Sequence, residues 1–353
     1  MDKQIQSKNV AIIGAGIIGL YLAWKLSELG HKVVVFEKRE NVGKNSCSGL
    51  ISTRIKDFIP IDDRYNDNGL IENEINKFLI HFPKKDIFLN LKQTHLVINR
   101  QKLDEKLLEL VQASGAKILF NHSVNAIFYP NQDKFGLHEL NSGKIVLQTS
   151  KGAGDFDRII GCDGAVSKVR ALMGIKPLSL RLGIKFSLFV KDSSNQVQVW
   201  PGKNGFFWRI PRKEKVEYGA LGNMDLIKKD FDNFLKKEKI SPPKGEITSS
   251  LIPEGLAFPK EKKVTLCGDA AGLTKRWSGG GIIWGLTAAD ILLKNFPDFN
   301  LYEQKTKNFF RPKIFKGKIF TPLVCFLGKI LPFTLPSEVK WDNDFSFSKS
   351  KKP

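Results

Sequence analysis

The chain lacks any uninterrupted apolar run near the roughly 18 residues that a membrane-spanning helix needs, so none is expected. Cysteine is scarce. Cys47, Cys162, Cys267 and Cys325 stand far apart and form no CxxC pair, which fits a reducing cytoplasm better than a disulfide scaffold. None of the 5 histidines lies in an acid–base motif. There is no zinc-ligand spacing, no RNA-binding signature and no DNA-reading motif, so neither a metal nor nucleic acid is expected. There is no internal repeat and no long low-complexity linker. Residues 1–9 are polar and run straight into an apolar strand, so neither a signal nor a transit peptide is expected there.

Acid is in deficit too. Asp and Glu number 36 against 56 Lys and Arg, a net charge of +20. Such an excess implies an anionic partner, a membrane surface or an acidic substrate, unless the lysine is only the host's composition. Hydrophobic residues make up 42%, enough for a sizeable core, and 353 residues fit one large domain or two interleaved ones.

The most informative stretch is residues 9–37. An apolar run (Val10 to Ile13) reads as a buried parallel strand. Gly14, Gly16 and Gly19 follow at dinucleotide spacing and open a helix with Leu20, Leu22, Ala23 and Leu26. A second apolar run ends in Glu37. This is a βαβ unit with a nucleotide fingerprint. Gly14 permits the tight turn, Gly16 lets backbone approach a pyrophosphate, and Gly19 lets helix and strand pack closely. The helix N-terminus offers N–H groups to phosphate, and Glu37 sits where an acid holds a ribose hydroxyl. The loop after it, with Lys38 and Arg39, lies close in sequence to the adenosine end.

Two further strand–turn–helix junctions stand out. Asp163 and Gly164 end an apolar strand, with Ser167 and Arg170 one turn apart; Asp163 can cap the helix or bind a hydroxyl. Gly268 and Asp269 end another strand, and Gly279, Gly280 and Gly281 precede Ile282 at a helix start. There Asp269 can accept from a sugar-like hydroxyl while the glycine N–H groups face an anionic ring edge. Between these junctions, residues 53–95 read as an excursion and 96–100 as a short strand. Residues 101–114 read as a helix. A polar hairpin region runs to about residue 150. Residues 182–190, 196–200, 206–211 and 216–221 alternate as antiparallel strands, and 224–239 form an amphipathic helix.

These motifs in this order resemble the flavoprotein superfamily of aromatic hydroxylases and geranylgeranyl reductases, over residues 9–290. The resemblance implies FAD held by Gly14, Gly16, Gly19 and Glu37, with Asp269 on its ribityl chain and Arg100 touching the flavin. Gly272 after Gly-Asp-Ala-Ala, Cys47-Ser48-Gly49, and the Phe206-Phe207-Trp208-Arg209-Ile210-Pro211 strand with Gly219 beyond are similar to the reductase branch. Phe206 and Ile210 depart from the usual Tyr and Phe. The loop before Gly279 lacks the Pro and Glu of many relatives.

The implied fold is α/β (α+β overall). A Rossmann-like FAD-binding domain (1–60, 95–175, 255–295) is interleaved with an antiparallel-sheet substrate domain (61–94, 176–254). Residues 296–353 follow as a C-terminal helical region with a disordered tail from residue 342. The implied reaction is reduction of isolated C=C bonds in geranylgeranyl chains of lipids or pyrophosphates. NAD(P)H or ferredoxin is the electron donor. Cys47 and Trp208 are the candidate catalytic residues; Cys47 is either a thiol beside the flavin or a small buried residue. Phe206, Trp208, Pro211 and Gly219 belong to a substrate wall or to sheet core. An FAD monooxygenase or halogenase is the alternative, and a binder of prenylated partners that has lost its flavin is a third. Residues 309–333 alternate basic and apolar side chains. They form either a segment on anionic lipid, peripheral on the inner face of the membrane, or a helix packed on the protein's own body.

Overall fold

The computed structural model describes residues 6–43, 46–61, 69–129, 143–243 and 245–345. The first apolar run forms β1 (Asn9–Ile13), with Val10 to Ile12 fully buried as a central parallel strand requires. Helix α1 (Ile17–Glu28) and strand β2 (Lys32–Phe36) complete the βαβ unit. Strand β3 (Leu50–Ser52) leads into a long hairpin of β4 (Ile71–Phe82) and β5 (Lys85–Ile98). The Asn99 side chain then caps α2 (Arg100–Ala113) by accepting the Lys102 N–H at 3.3 Å. Strand β6 (Lys117–Leu119) is followed by β7 (Val124–Phe128), β8 (Ile145–Thr149), β9 (Gly152–Phe156), β10 (Arg158–Gly161) and the short helix α3 (Lys168–Leu172). Next come β11 (Ser179–Leu188), β12 (Gln196–Pro201), β13 (Gly205–Pro211) and β14 (Val216–Asn223). The chain closes with α4 (Ile227–Lys237), β15 (Thr248–Glu254), β16 (Val264–Leu266), α5 (Ile282–Asn295), α6 (Phe299–Ile330) and β17 (Glu338–Trp341).

The first sheet is wholly parallel, in the order β16-β10-β1-β2-β6. Helix α1 packs against both α2 and α5 over it. A three-stranded antiparallel sheet, β7-β8-β9, packs against it through β9. The third sheet runs β15-β11-β14-β13-β12-β4-β5-β17, with β3 also on β5. Its pairs are antiparallel except β12 with β4 and β17 with β5. Phe186 and Phe207 on one face bury the apolar side of α4 through Phe231, Phe234 and Leu235. Ile75, Val97, Val197 and Ile210 form a smaller core with Trp208 packed against it.

Two expectations change. Of the strand read at residues 96–100, 96–98 are the end of β5 while Asn99 and Arg100 cap and open α2, so the domain boundary at 95 falls inside a 14-residue strand. Polar residues at alternate positions hid its length, because one face of the strand is not core. Helix α6 runs for 32 residues through Pro312 and Pro322. Both are exposed, so the lost N–H bonds and ring clash are absorbed at a solvent face. The tail is not disordered from residue 342. β17 pairs parallel with β5, and Asp344 beyond it is 1% exposed. Parts of the chain expected as the polar hairpin (130–142), the polar N-terminus (1–5) and the tail's end (346–353) lie outside the described residues.

Candidate functional site

Parallel pairing decides where the three junctions meet. Ile13 lies beside Phe36 on one side and Gly161 on the other, and Gly161 lies beside Leu266. Gly14, Glu37, Asp163 and Asp269 therefore emerge together at the carboxyl edge of one sheet, where open α/β sheets hold ligands. A cavity of about 2110 Å³ runs from this edge under the curved third sheet.

The fingerprint glycines divide their tasks. Gly14 has φ +103°, and its N–H donates to the Phe36 carbonyl at 2.8 Å. A Cβ on Gly19 would lie 1.9 Å from the Gly14 carbonyl oxygen, so Gly19 serves helix–turn packing and does not line the cavity. A Cβ on Gly16 would enter open cavity space. Glu37 accepts the Ala15 N–H at 2.8 Å and the Arg39 N–H at 3.0 Å, which holds its carboxylate at the rim. Lys38 and Arg39 are exposed there.

Asp163 has the capping role. Its carboxylate accepts from Ser167 Oγ at 2.6 Å and from the Val169 N–H at 3.0 Å. Burial outweighs these bonds and raises its pKa. Arg170 turns away from the cavity and donates to the Ala270 and Ala165 carbonyls at 2.9 and 2.6 Å, tying α3 to the third junction.

Asp269 differs. Among the described residues nothing donates a hydrogen bond to its carboxylate, and burial pushes its pKa up to about 6 against the pull of Arg100. It stands against Gly281, where a Cβ would lie 2.7 Å from Oδ1. Gly279, Gly280, Gly281 and Ile282 line the cavity at the start of α5. Gly268 does not; it packs on Ile18. Arg100 begins α2 and reaches Asp104 Oδ1 at 3.3 Å. Burial opposes its charge, but Cys47 and Asp104 more than offset that and raise its pKa. Its Nε is buried with no partner. A hydroxyl-bearing, phosphorylated ligand with ring acceptors fits this set: an open glycine cradle, an unpartnered carboxylate and an orphaned guanidinium nitrogen.

Beyond the ring end, the cavity becomes apolar. Phe78 and Ile80 of β4, Val199 of β12, Phe206 and Trp208 of β13, and Val324 of α6 all face it. Cys47 lines it too, half-buried and free. Pro211 and Gly219 do not. Pro211 is buried away from it, and a Cβ on Gly219 would lie 2.1 Å from Trp208 Cζ2. Gly219 is therefore the seat on which the indole lies. Gly49 is likewise packing: its Cβ would meet the Ile98 carbonyl at 2.0 Å.

Two buried polar networks at this site had no local signal in the sequence. In the first, Glu217 accepts Trp208 Nε1 at 3.0 Å, Lys185 Nζ at 2.9 Å and Arg212 at 2.9 Å. Burial raises the Glu217 pKa, but Arg212 and Lys185 bring it below normal. Lys185 also reaches the Cys47 carbonyl at 2.7 Å, and Arg212 reaches that of Ser48 and the Glu72 carboxylate. The Trp208 N–H is thus committed to Glu217, and the indole offers the cavity its ring. In the second, Lys275 pairs with Asp344 at 2.9 Å, both nearly fully buried. Ser52, Arg54 and the Trp284 N–H bind the same C-terminal segment. Asn343 donates to His95 Nε2 at 3.1 Å.

The FAD binding domain model matches residues 7–224, more than half of the chain. The chain is 24% identical to digeranylgeranylglycerophospholipid reductase 1 of Methanococcoides burtonii, over 78% of this chain and 70% of that one. It is 23% identical to kynurenine 3-monooxygenase of Christiangramia forsetii, over 84% and 74%. In fold it is similar to a geranylgeranyl bacteriochlorophyll reductase-like protein of Thermoplasma acidophilum, with TM-score 0.74 and 19% identity, covering 91% of this chain and 88% of that one. With its nucleotide cradle at the head of the sheet and a family model that spans it, the chain belongs to the FAD binding domain family and is an FAD-dependent oxidoreductase, distantly geranylgeranyl reductase-like.

Proposed function

We propose that the protein reduces isolated C=C bonds in geranylgeranyl chains of a lipid or prenyl pyrophosphate. The apolar arm of the cavity carries the reading. An isolated alkene offers no polar handle, so a site for it must grip by surface alone and exclude water. Phe78, Ile80, Val199 and the face of Trp208 supply such surface. The names of the Methanococcoides and Thermoplasma proteins support it.

Bound and reduced, FAD supplies the hydride; a proton must reach the other alkene carbon, leaving a saturated chain and oxidised cofactor. Gly14 and Gly16 would cradle the pyrophosphate, Glu37 the adenosine ribose and Asp269 the ribityl hydroxyls. Arg100 would meet the ring beside Cys47. The Glu217 network positions Trp208 and the Cys47–Ser48 loop against one another. NAD(P)H or ferredoxin is the proposed electron donor.

The test is anaerobic. Holoenzyme reduced with dithionite is given geranylgeranyl lipid, and the product is weighed by mass spectrometry. A gain of two hydrogens per double bond is expected. Unchanged lipid under every condition would reject the reading. In a parallel run in air with NAD(P)H, an oxygen-dependent product with an added hydroxyl would assign the protein instead to the monooxygenases, which the kynurenine 3-monooxygenase relative represents.

A further inference from the structure

The second half of α6 presents an apolar stripe to solvent. Phe315, Ile319, Leu323, Phe326 and Ile330 are between 45% and 64% exposed, and Phe333 just beyond is 75% exposed. At about 100° per residue, the five helical positions fall within one quadrant of the helix. The opposite side, with Phe310, Lys313, Gly317 and Gly328, is buried against the body. Both halves of the helix are covered on one side only; the uncovered side is mostly polar in the first half and apolar in the second.

Charge follows the same boundary. Residues 304–337 contain Lys305, Lys307, Arg311, Lys313, Lys316, Lys318 and Lys329 and no Asp or Glu. Arg311 and Lys318 fall at one edge of the apolar stripe and Lys316 at the other, all exposed. Apolar side chains flanked by cations fit a bilayer interface, where rings sink to the acyl boundary and amines stay at phosphate level. No helix of the described residues is long and apolar enough to cross.

The stripe also borders the cavity. Phe320, Val324 and Phe326 are exposed and line it at once, so its apolar arm opens at this helix. We propose that α6 docks the protein on the surface of an anionic bilayer, with its Phe315–Ile330 stripe in the interface and the cavity mouth facing the lipid. A second copy of the chain is the poorer occupant. A two-fold contact would bring like charges, Arg311 and Lys318 of each copy, together.

The test reads binding and needs no turnover, so it can fail without touching the proposed reaction, and the reverse. Holoenzyme is sedimented with vesicles containing phosphatidylglycerol and with vesicles of phosphatidylcholine alone. Binding is expected only, or at least tenfold more strongly, with the anionic vesicles, and should fall as salt rises. Arg311→Glu with Lys318→Glu should weaken it by about twentyfold or more. Phe315→Ser with Leu323→Ser and Ile330→Ser should abolish it while the protein still carries its flavin absorbance. Equal binding to both vesicle types, no binding to either, or unchanged binding of the apolar triple variant would overturn the proposal. So would a wild-type dimer that the triple variant turns into a monomer, which would give the face to a second copy.

Discussion

His95 is buried and neutral by construction. Its Nδ1–H donates to the Gln93 carbonyl at 3.1 Å, while Nε2 accepts from Asn343. Burial lowers its pKa from 6.5 to about 4, with Lys275 helping and Asp344 opposing. Between those values the unfolded chain holds a proton that the folded chain refuses, so this residue's contribution falls as pH drops from 6.5 to 4. The loss amounts to about 3 kcal/mol. Urea unfolding at pH 7 and pH 4.5 should show a smaller drop in His95→Gln than in the parent; equal drops would refute it. Asp269 runs the other way across the same window, because burial raises its pKa, so only the difference between variant and parent isolates His95. Gly219 makes a steric prediction. Gly219→Ala puts a methyl into the Trp208 ring and should cost about 1–3 kcal/mol. In a Trp208→Ala background the same change should cost less, since the obstructing ring is gone and only the Ile184 carbonyl, 2.8 Å from that Cβ, remains in the way. A cost independent of Trp208 would mean the strand, not the indole, requires glycine.

At the level of elements, β17 and the three residues after it bind the ends of the chain to its middle. Asp344 neutralises Lys275 in a place with almost no water, alongside Ser52 and Arg54. Asp344→Asn leaves a buried cation without its charge partner and should lower stability by roughly 3 kcal/mol in denaturant titration. Truncation before Glu338 should do more. It removes Asp344 and also bares the edge of β5 from Phe88 to Leu91, so aggregation should accompany the lost stability. If the truncated chain were as stable and as soluble as the full one, the latch would be decoration.

For the molecule as a whole, the cavity proposed to hold the cofactor is lined by parts of the chain more than two hundred residues apart, from Gly14 to Gly281. Ligand bound only to the folded form stabilises it by about 2.7 kcal/mol at a hundredfold excess over Kd. Protein stripped of flavin should therefore melt several degrees lower and recover when FAD is added. Arg100→Ala should need more FAD for the same recovery, and an unchanged titration would remove Arg100 from the site. The local patterns in the sequence were enough for the βαβ unit and for placing Gly14, Gly16, Glu37, Asp269 and the glycines before Ile282 along one cavity edge. In each case a short segment carries its own geometry: turn, strand end, helix start. They were enough also for α4 and for the four strands of the sheet beneath it. They could not separate Phe206 and Trp208, which face the cavity, from Pro211 and Gly219, which do not. That depends on which residues of β13 meet empty space, and on the Trp208 ring covering Gly219 across the strand pair. Nor could they reveal Glu217, Lys275 or Asp344, whose partners lie across strands or at the far end of the chain. Sequence determined which ligand edge the sheet would present, because backbone conformation there is local. Only the tertiary structure decided which charges are buried together and where the apolar arm opens, because burial and cavity shape belong to the packed whole.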